Sequence, residues 1–66
     1  MYYYLSYYDL KTGRNGVRGP FLNTLDVRRC AHEIERRLRP AVLHCACLDS
    51  KRTQLFAFVV SSFLEV

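Results

Sequence analysis

The chain has 66 residues, half of them hydrophobic, and a formal net charge of +4 at pH 7. One domain fits this length, near the lower limit for folding without metal, disulfides or self-association, and a deep water-excluding enzyme pocket is disfavoured. The apolar content and the absence of any low-complexity tract argue against disorder, and the longest apolar run, Leu55 to Val60, is far too short to span a bilayer at about 20 residues.

Tyr2 to Asp9 is dense in aromatic residues with high strand propensity and is expected to form a first strand. Alternation puts Tyr3, Leu5 and Tyr7 on one face and Tyr2, Tyr4, Ser6 and Tyr8 on the other. Leu5 favours burial of the odd set and Ser6 exposure of the even one. Lys11 to Pro20 is turn chemistry with three glycines. Asn15-Gly16 suits both central positions of a type I′ turn, which predicts a hairpin returning over Val17 to Phe21. Gly19-Pro20 weakens that strand and makes it an edge strand or a mere extended segment. The alternative is a basic loop carrying Lys11, Arg14 and Arg18.

Asn23 to Pro40 has agreeing period, start and stop signals for a helix. Val27, Cys30, Ala31, Ile34 and Leu38 fall on one stripe of a 3.6-residue repeat. Asn23 or Thr24 can cap the first turn, Asp26 suits the positive end of the dipole, and Pro40 prevents continuation. The other faces carry Arg28, Arg29, Arg36, Arg37 and Arg39. Four-residue spacing pairs Glu33 with Arg29 and Arg37, and Glu35 with Arg39, at about 0.2–0.5 kcal/mol each. That leaves Arg28, Arg36 and Arg39, with His32 among them, as the least compensated patch.

Ala41 to Leu48 alternates partly and predicts a third strand, with Leu43, Cys45 and Cys47 on one face and Val42, His44, Ala46 and Leu48 on the other. Asp49 to Arg52 is a connection of hairpin length. Thr53 to Val60 is apolar on both faces from Leu55 onward. Such a strand belongs in the middle of a sheet or at an interface that covers its second face. The final SSFLEV extends this strand or forms a tail, which Phe63 and Leu64 make sticky. The expected fold is α+β, residues 1–66 as a single domain: a small antiparallel sheet in ββαββ order packed on one amphipathic helix.

Eight of the ten cationic residues are arginine, which forms planar bidentate bonds with carboxylates and phosphates. Nucleic acid, an acidic protein surface, an anionic ligand and ordinary solubility all match that charge. The three cysteines are odd in number, and MYYYLSYYDL lacks the basic region and unbroken apolar core of a secretion signal. The expectation is a soluble cytoplasmic protein with free thiols. Cys30, His32, His44, Cys45 and Cys47 do not converge as zinc ligands, no C-x-x-C pair exists, and the cysteines read as small core residues. Gly13, Gly16 and Gly19 lack the strand-before, helix-after context of a phosphate loop. No local motif of nucleophilic catalysis occurs, so neither enzyme activity, cofactor nor metal is expected.

Tyr2, Tyr4 and Tyr8 are candidate aromatic anchors for a protein partner, and Arg28, Arg29, Arg36 and Arg39 are candidate partners for its carboxylates. The same residues used for base stacking and phosphate contact give the alternative, a basic single-stranded nucleic-acid-binding protein. Major-groove reading is disfavoured because only one helix is present. With YYYLSYY, LDVRRCAHEIERRL and AVLHCACL in that order, the chain resembles small inhibitor proteins of bacteriophages and mobile elements, anti-CRISPR proteins among them. The resemblance implies a non-catalytic protein that binds a host complex, such as a CRISPR-Cas defence system, and blocks it. Many such inhibitors imitate DNA with acidic surfaces, and this chain is basic. A homodimer is also expected, because it would cover the aromatic surface of a small core.

Overall fold

The computed structural model describes residues 1–61. The elements are β1 (Tyr3–Asp9), β2 (Asn15–Phe21), α1 (Thr24–Leu38), β3 (Val42–Leu48) and β4 (Gln54–Ser61). The strands pair antiparallel in the order β2-β1-β3-β4, and α1 covers one face of this sheet. The ββαββ α+β architecture expected from the sequence is the architecture found. Residues 62–66, with Phe63 and Leu64, lie outside the described residues. No helix among the described residues is long and apolar enough to cross a membrane.

Register explains the core. Leu5 pairs with Cys47, which pairs with Phe56; Tyr7 pairs with Cys45, which pairs with Phe58; Asp9 pairs with Leu43, which pairs with Val60. These three rows point at the helix, with Leu5, Leu43 and Cys47 fully buried. The odd set of β1 is therefore the buried one, as Leu5 implied, and Cys45 and Cys47 serve as small core residues. Val27 and Ala31 of α1 close the core from above, with Cys30, Ile34 and Leu38 packed beside them. Glu35 joins them, almost wholly buried at the border of the apolar stripe.

Asn23 is the N-cap: its Oδ1 accepts the backbone N–H of Asp26 at 2.9 Å. The helix ends at Leu38 because Arg39, preceding Pro40, takes an extended conformation with φ −52° and ψ 138°.

The first hairpin forms, but its reversal is not at Asn15-Gly16. The chain turns between Asp9 and Arg14: Asp9 N–H donates to Arg14 C=O at 2.7 Å, and Gly13 N–H donates to Asp9 C=O at 2.8 Å. Gly13 supplies the left-handed φ of +77° that this turn requires. The buried Asp9 carboxylate fixes the reversal early, accepting from Lys11 N–H at 3.0 Å and Thr12 Oγ1 at 2.8 Å. Asn15 and Gly16 then pair with Tyr8 and Tyr7 as strand residues. Gly16 is needed there because a Cβ would stand 2.7 Å from the Tyr7 hydroxyl oxygen.

β2 is an edge strand, in keeping with Pro20. β4 is the other edge, which rules out the central position, one of the two placements expected for it. Its apolar doubling has a different origin: Phe56, Phe58 and Val60 face the helix, while Leu55, Ala57 and Val59 face outward and are exposed.

Candidate functional site

Two surfaces gather functional side chains, and the sheet lies between them. The outer face, opposite the helix, is crossed by rows set by the same register. Asn15, Tyr8, His44 and Val59 form one row, and Val17, Ser6, Ala46 and Ala57 form the next. Ser6, Ala46 and Ala57 are small, so the centre of this face sinks into a trough of about 390 Å³ walled by Tyr8, His44 and Val59. Tyr8, Val17, Leu55 and Val59 are each 45–47 % exposed, so nothing in the described chain covers them. Tyr4 stands in the next row, paired with Leu48, and the Arg52 guanidinium lies 4.8 Å from its ring centroid. Tyr2 is anchored nearby through its backbone, which exchanges two hydrogen bonds with the Ser50 hydroxyl.

The helix arginines sit on the other side of the sheet, so the structure does not bring them together with Tyr4 and Tyr8. Arg28 lies over both Phe56 and Phe58, 4.9 Å from each centroid. Arg39 Nε donates to both carboxylate oxygens of Glu35 at 3.0 Å. Arg36 meets Glu33, and Arg29 meets Asp26, each at 3.8 Å. Arg28, Arg36 and Arg39, the patch expected to be least compensated, thus each have a partner. Glu33 pairs three residues on with Arg36, where four-residue spacing had suggested Arg29 and Arg37.

Other arginines without an ion pair lie elsewhere. A cleft of about 600 Å³ runs between β2 and α1. Arg14 and Arg18 rise from β2 and its turn, and Arg29 and Arg37 from the helix, above a floor that includes Phe21, Ile34 and Leu38. Arg18 also leans on Tyr7, 5.4 Å from the ring centroid. Arg14, Arg18 and Arg37 form no ion pair among the described residues. Sequence reading missed this cleft because its hairpin was misplaced. With the turn before Asn15, the alternation Arg14, Gly16, Arg18 puts both arginines on the helix side of the sheet.

The thiols are held in their protonated form. Burial pushes Cys45 up to about 11. Burial also raises Cys30 against the opposing pull of Arg18 and Arg37, and raises Cys47 against Arg28. His44 is exposed on the outer face while Cys45 beside it points inward, and no three His, Cys, Asp or Glu side chains gather as metal ligands among the described residues. The Asp9 carboxyl is held below its usual range chiefly by the Lys11 backbone N–H, with the Thr12 hydroxyl adding to it and burial opposing. It is a structural group committed to its turn.

Comparison of the chain with protein-family models, curated proteins and solved structures gave no match.

Proposed function

We propose that this protein is a small non-catalytic protein-binding module whose working surface is the outer face of the sheet. The observation that carries the reading is the uncovered trough, with its small-residue floor and half-exposed Tyr8 and Val59 around it. An apolar side chain of a partner fits over Ser6, Ala46 and Ala57, while Tyr8 supplies rigid contact area at its rim and Tyr4 in the next row. β4 adds an uncharged edge, Gln54 to Ser61, with neither lysine nor proline to deter pairing with another chain. A second copy is one occupant of this face, as the expected homodimer requires. The other is a host protein complex, blocked in the cytoplasm by occupation of its surface, as small phage and mobile-element inhibitors do.

Non-catalytic action is supported by the thiols, whose raised pKa values make them poor nucleophiles at neutral pH. The separation of the helix arginines from Tyr4 and Tyr8 favours a protein over single-stranded nucleic acid. Stacking platforms for bases need cations along the same groove, and the paired rows across the trough carry none, Arg52 lying over Tyr4 beside them. A tagged chain used to capture its partner from lysate of the source cell tests the reading. Val59→Asp and Tyr8→Ala should each weaken capture by about tenfold or more, while Arg36→Ala should leave it intact. Capture that survives both outer-face substitutions refutes the assignment. Sedimentation equilibrium at micromolar concentration decides the second-copy occupant, which is ruled out if only a 7.8 kDa species is present.

A further inference from the structure

We propose that the cleft between β2 and α1 binds a small ligand that joins an anionic group to a flat apolar body. This site is separate from the outer sheet face and independent of it. Its volume of about 600 Å³ lies within the roughly 300–1,000 Å³ of small-molecule sites. Arg29 and Arg37 are eight residues apart on the helix, a rise of about 12 Å at 1.5 Å per residue. Arg14 and Arg18 are four apart along the opposite wall, about 13 Å at 3.3 Å per residue. The two pairs of arginines are therefore spaced alike along the two backbone walls.

The charge of this slot is unbalanced. Its four arginines face only Asp26 and Glu33, and these carboxylates are engaged at 3.8 Å with Arg29 and with Arg36, an arginine outside the lining. Arg18 and Arg37 form no ion pair among the described residues, and Arg14, which acts on the Asp9 carboxylate, adds a third positive charge that an entering anion can meet. Their planar forks suit the paired oxygens of a phosphate or a carboxylate. Between the walls the surface is apolar: Phe21, Ile34 and Leu38 are partly buried hydrophobics packed against the core. Between Arg14 and Arg18 the strand wall is made by the Tyr7 ring, which occupies the place a side chain at Gly16 would take. A purely inorganic anion would leave this floor in contact with water, and an uncharged ring would leave the guanidiniums unmatched. Only a molecule with both parts uses the whole cleft.

Phosphate and carboxylate share the required chemistry, and four probes distinguish the sources. Adenosine 5′-monophosphate carries a phosphate on a flat body, 1-naphthoate carries a carboxylate on one, adenosine lacks the charge, and inorganic phosphate lacks the body. Amide shifts of the isotopically labelled chain are followed during titration with each. At least one charged aromatic probe should saturate below about 1 mM, moving the amides of Arg18, Phe21, Cys30 and Ile34, with adenosine and inorganic phosphate at least tenfold weaker. Arg18→Gln and Arg37→Gln should each weaken that probe by about tenfold, while Lys51→Gln, which removes the same charge from the β3–β4 turn, should not. Raising salt from about 50 to 300 mM should lower the wild-type affinity severalfold, a measurement that needs no variant. The proposal is overturned if neither charged aromatic probe saturates by about 5 mM, if affinity ignores salt, or if folded Arg18→Gln and Arg37→Gln bind as the wild type does. Shifts confined to the outer sheet face overturn it equally.

Discussion

Removing the Arg39 guanidinium should expose how much of this small fold depends on one buried carboxylate. The Glu35 side chain is 2 % accessible and accepts from Arg39 Nε at 3.0 Å on both oxygens, while the Arg39 side chain is 46 % accessible. Breaking a buried pair from one side costs up to about 3–5 kcal/mol, because the remaining charge loses its ion-pair partner. Here the guanidinium is half in water, so solvent partly replaces it, and a loss of about 2–3 kcal/mol is expected for Arg39→Met. Methionine keeps the apolar stem of arginine, so the measured loss reports the charge and not the packing. A 66-residue domain has only about 3–10 kcal/mol to lose, and its melting temperature should fall by about 10–20 °C. Urea unfolding followed by circular dichroism measures this, provided the slope with denaturant is unchanged. In the Glu35→Gln background there is no carboxylate charge for Arg39 to balance, and Arg39→Met should then cost under about 1 kcal/mol. A coupling energy below about 0.3 kcal/mol in this cycle would refute the reasoning.

Gly16→Ala should destabilise by about 1–3 kcal/mol in the same assay, since its Cβ would meet the Tyr7 ring at 2.7–3.0 Å and that ring is buried; an unchanged midpoint would contradict the strand placement of Asn15-Gly16. The Asp9 carboxyl is lowered from 3.8 in the folded chain, so its stabilisation is present above that unfolded value and is lost as pH falls through the lower native one. Wild-type stability should accordingly drop more steeply than that of Asp9→Asn below about pH 4, and parallel acid profiles would exclude the role given to this group. With its thiol raised to about 11, Cys45 should resist a disulfide reagent in the native state at about pH 8 and react on unfolding, as mass mapping of the labelled sites would record.

What the sequence disclosed depended on how local the cause was. The helix was legible in full because its stripe, Asn23 cap and Pro40 stop all lie within one short segment, and the buried face of β1 followed from Leu5 and Ser6 alone. The hairpin was legible in kind but not in place. Asn15-Gly16 is a strong local turn signal, yet the buried Asp9 carboxylate and the Tyr7 ring over Gly16 are tertiary facts that outweigh it. Glu35 read as a surface partner of Arg39, and the pairing is correct, but the burial is not visible in an i, i+4 spacing. The doubled apolar pattern of β4 announced that something should cover it without saying where the strand sits. The cleft joins Tyr7, Arg18 and Arg37, which no window of sequence brings together.

The sheet sorts the chemistry of this chain into two compartments, and the helix then sorts its own arginines. About 100° per residue separates Arg28 and Arg39, which lean with Glu35 to the β3–β4 side, from Arg29 and Arg37, which lean toward β2. On the first side the guanidiniums are consumed by Phe56, Phe58 and Glu35. On the second they meet Arg14 and Arg18 and stay in excess. Even along its shortest axis the Cα trace is 18 Å deep, more than twice the ~8 Å over which charges act through physiological salt. A partner seated on the outer face is therefore held mainly by shape and apolar contact, and the arginines of the cleft contribute little to that grip. Salt should separate the two surfaces: binding at the outer face should persist as ionic strength rises, while binding in the arginine cleft weakens.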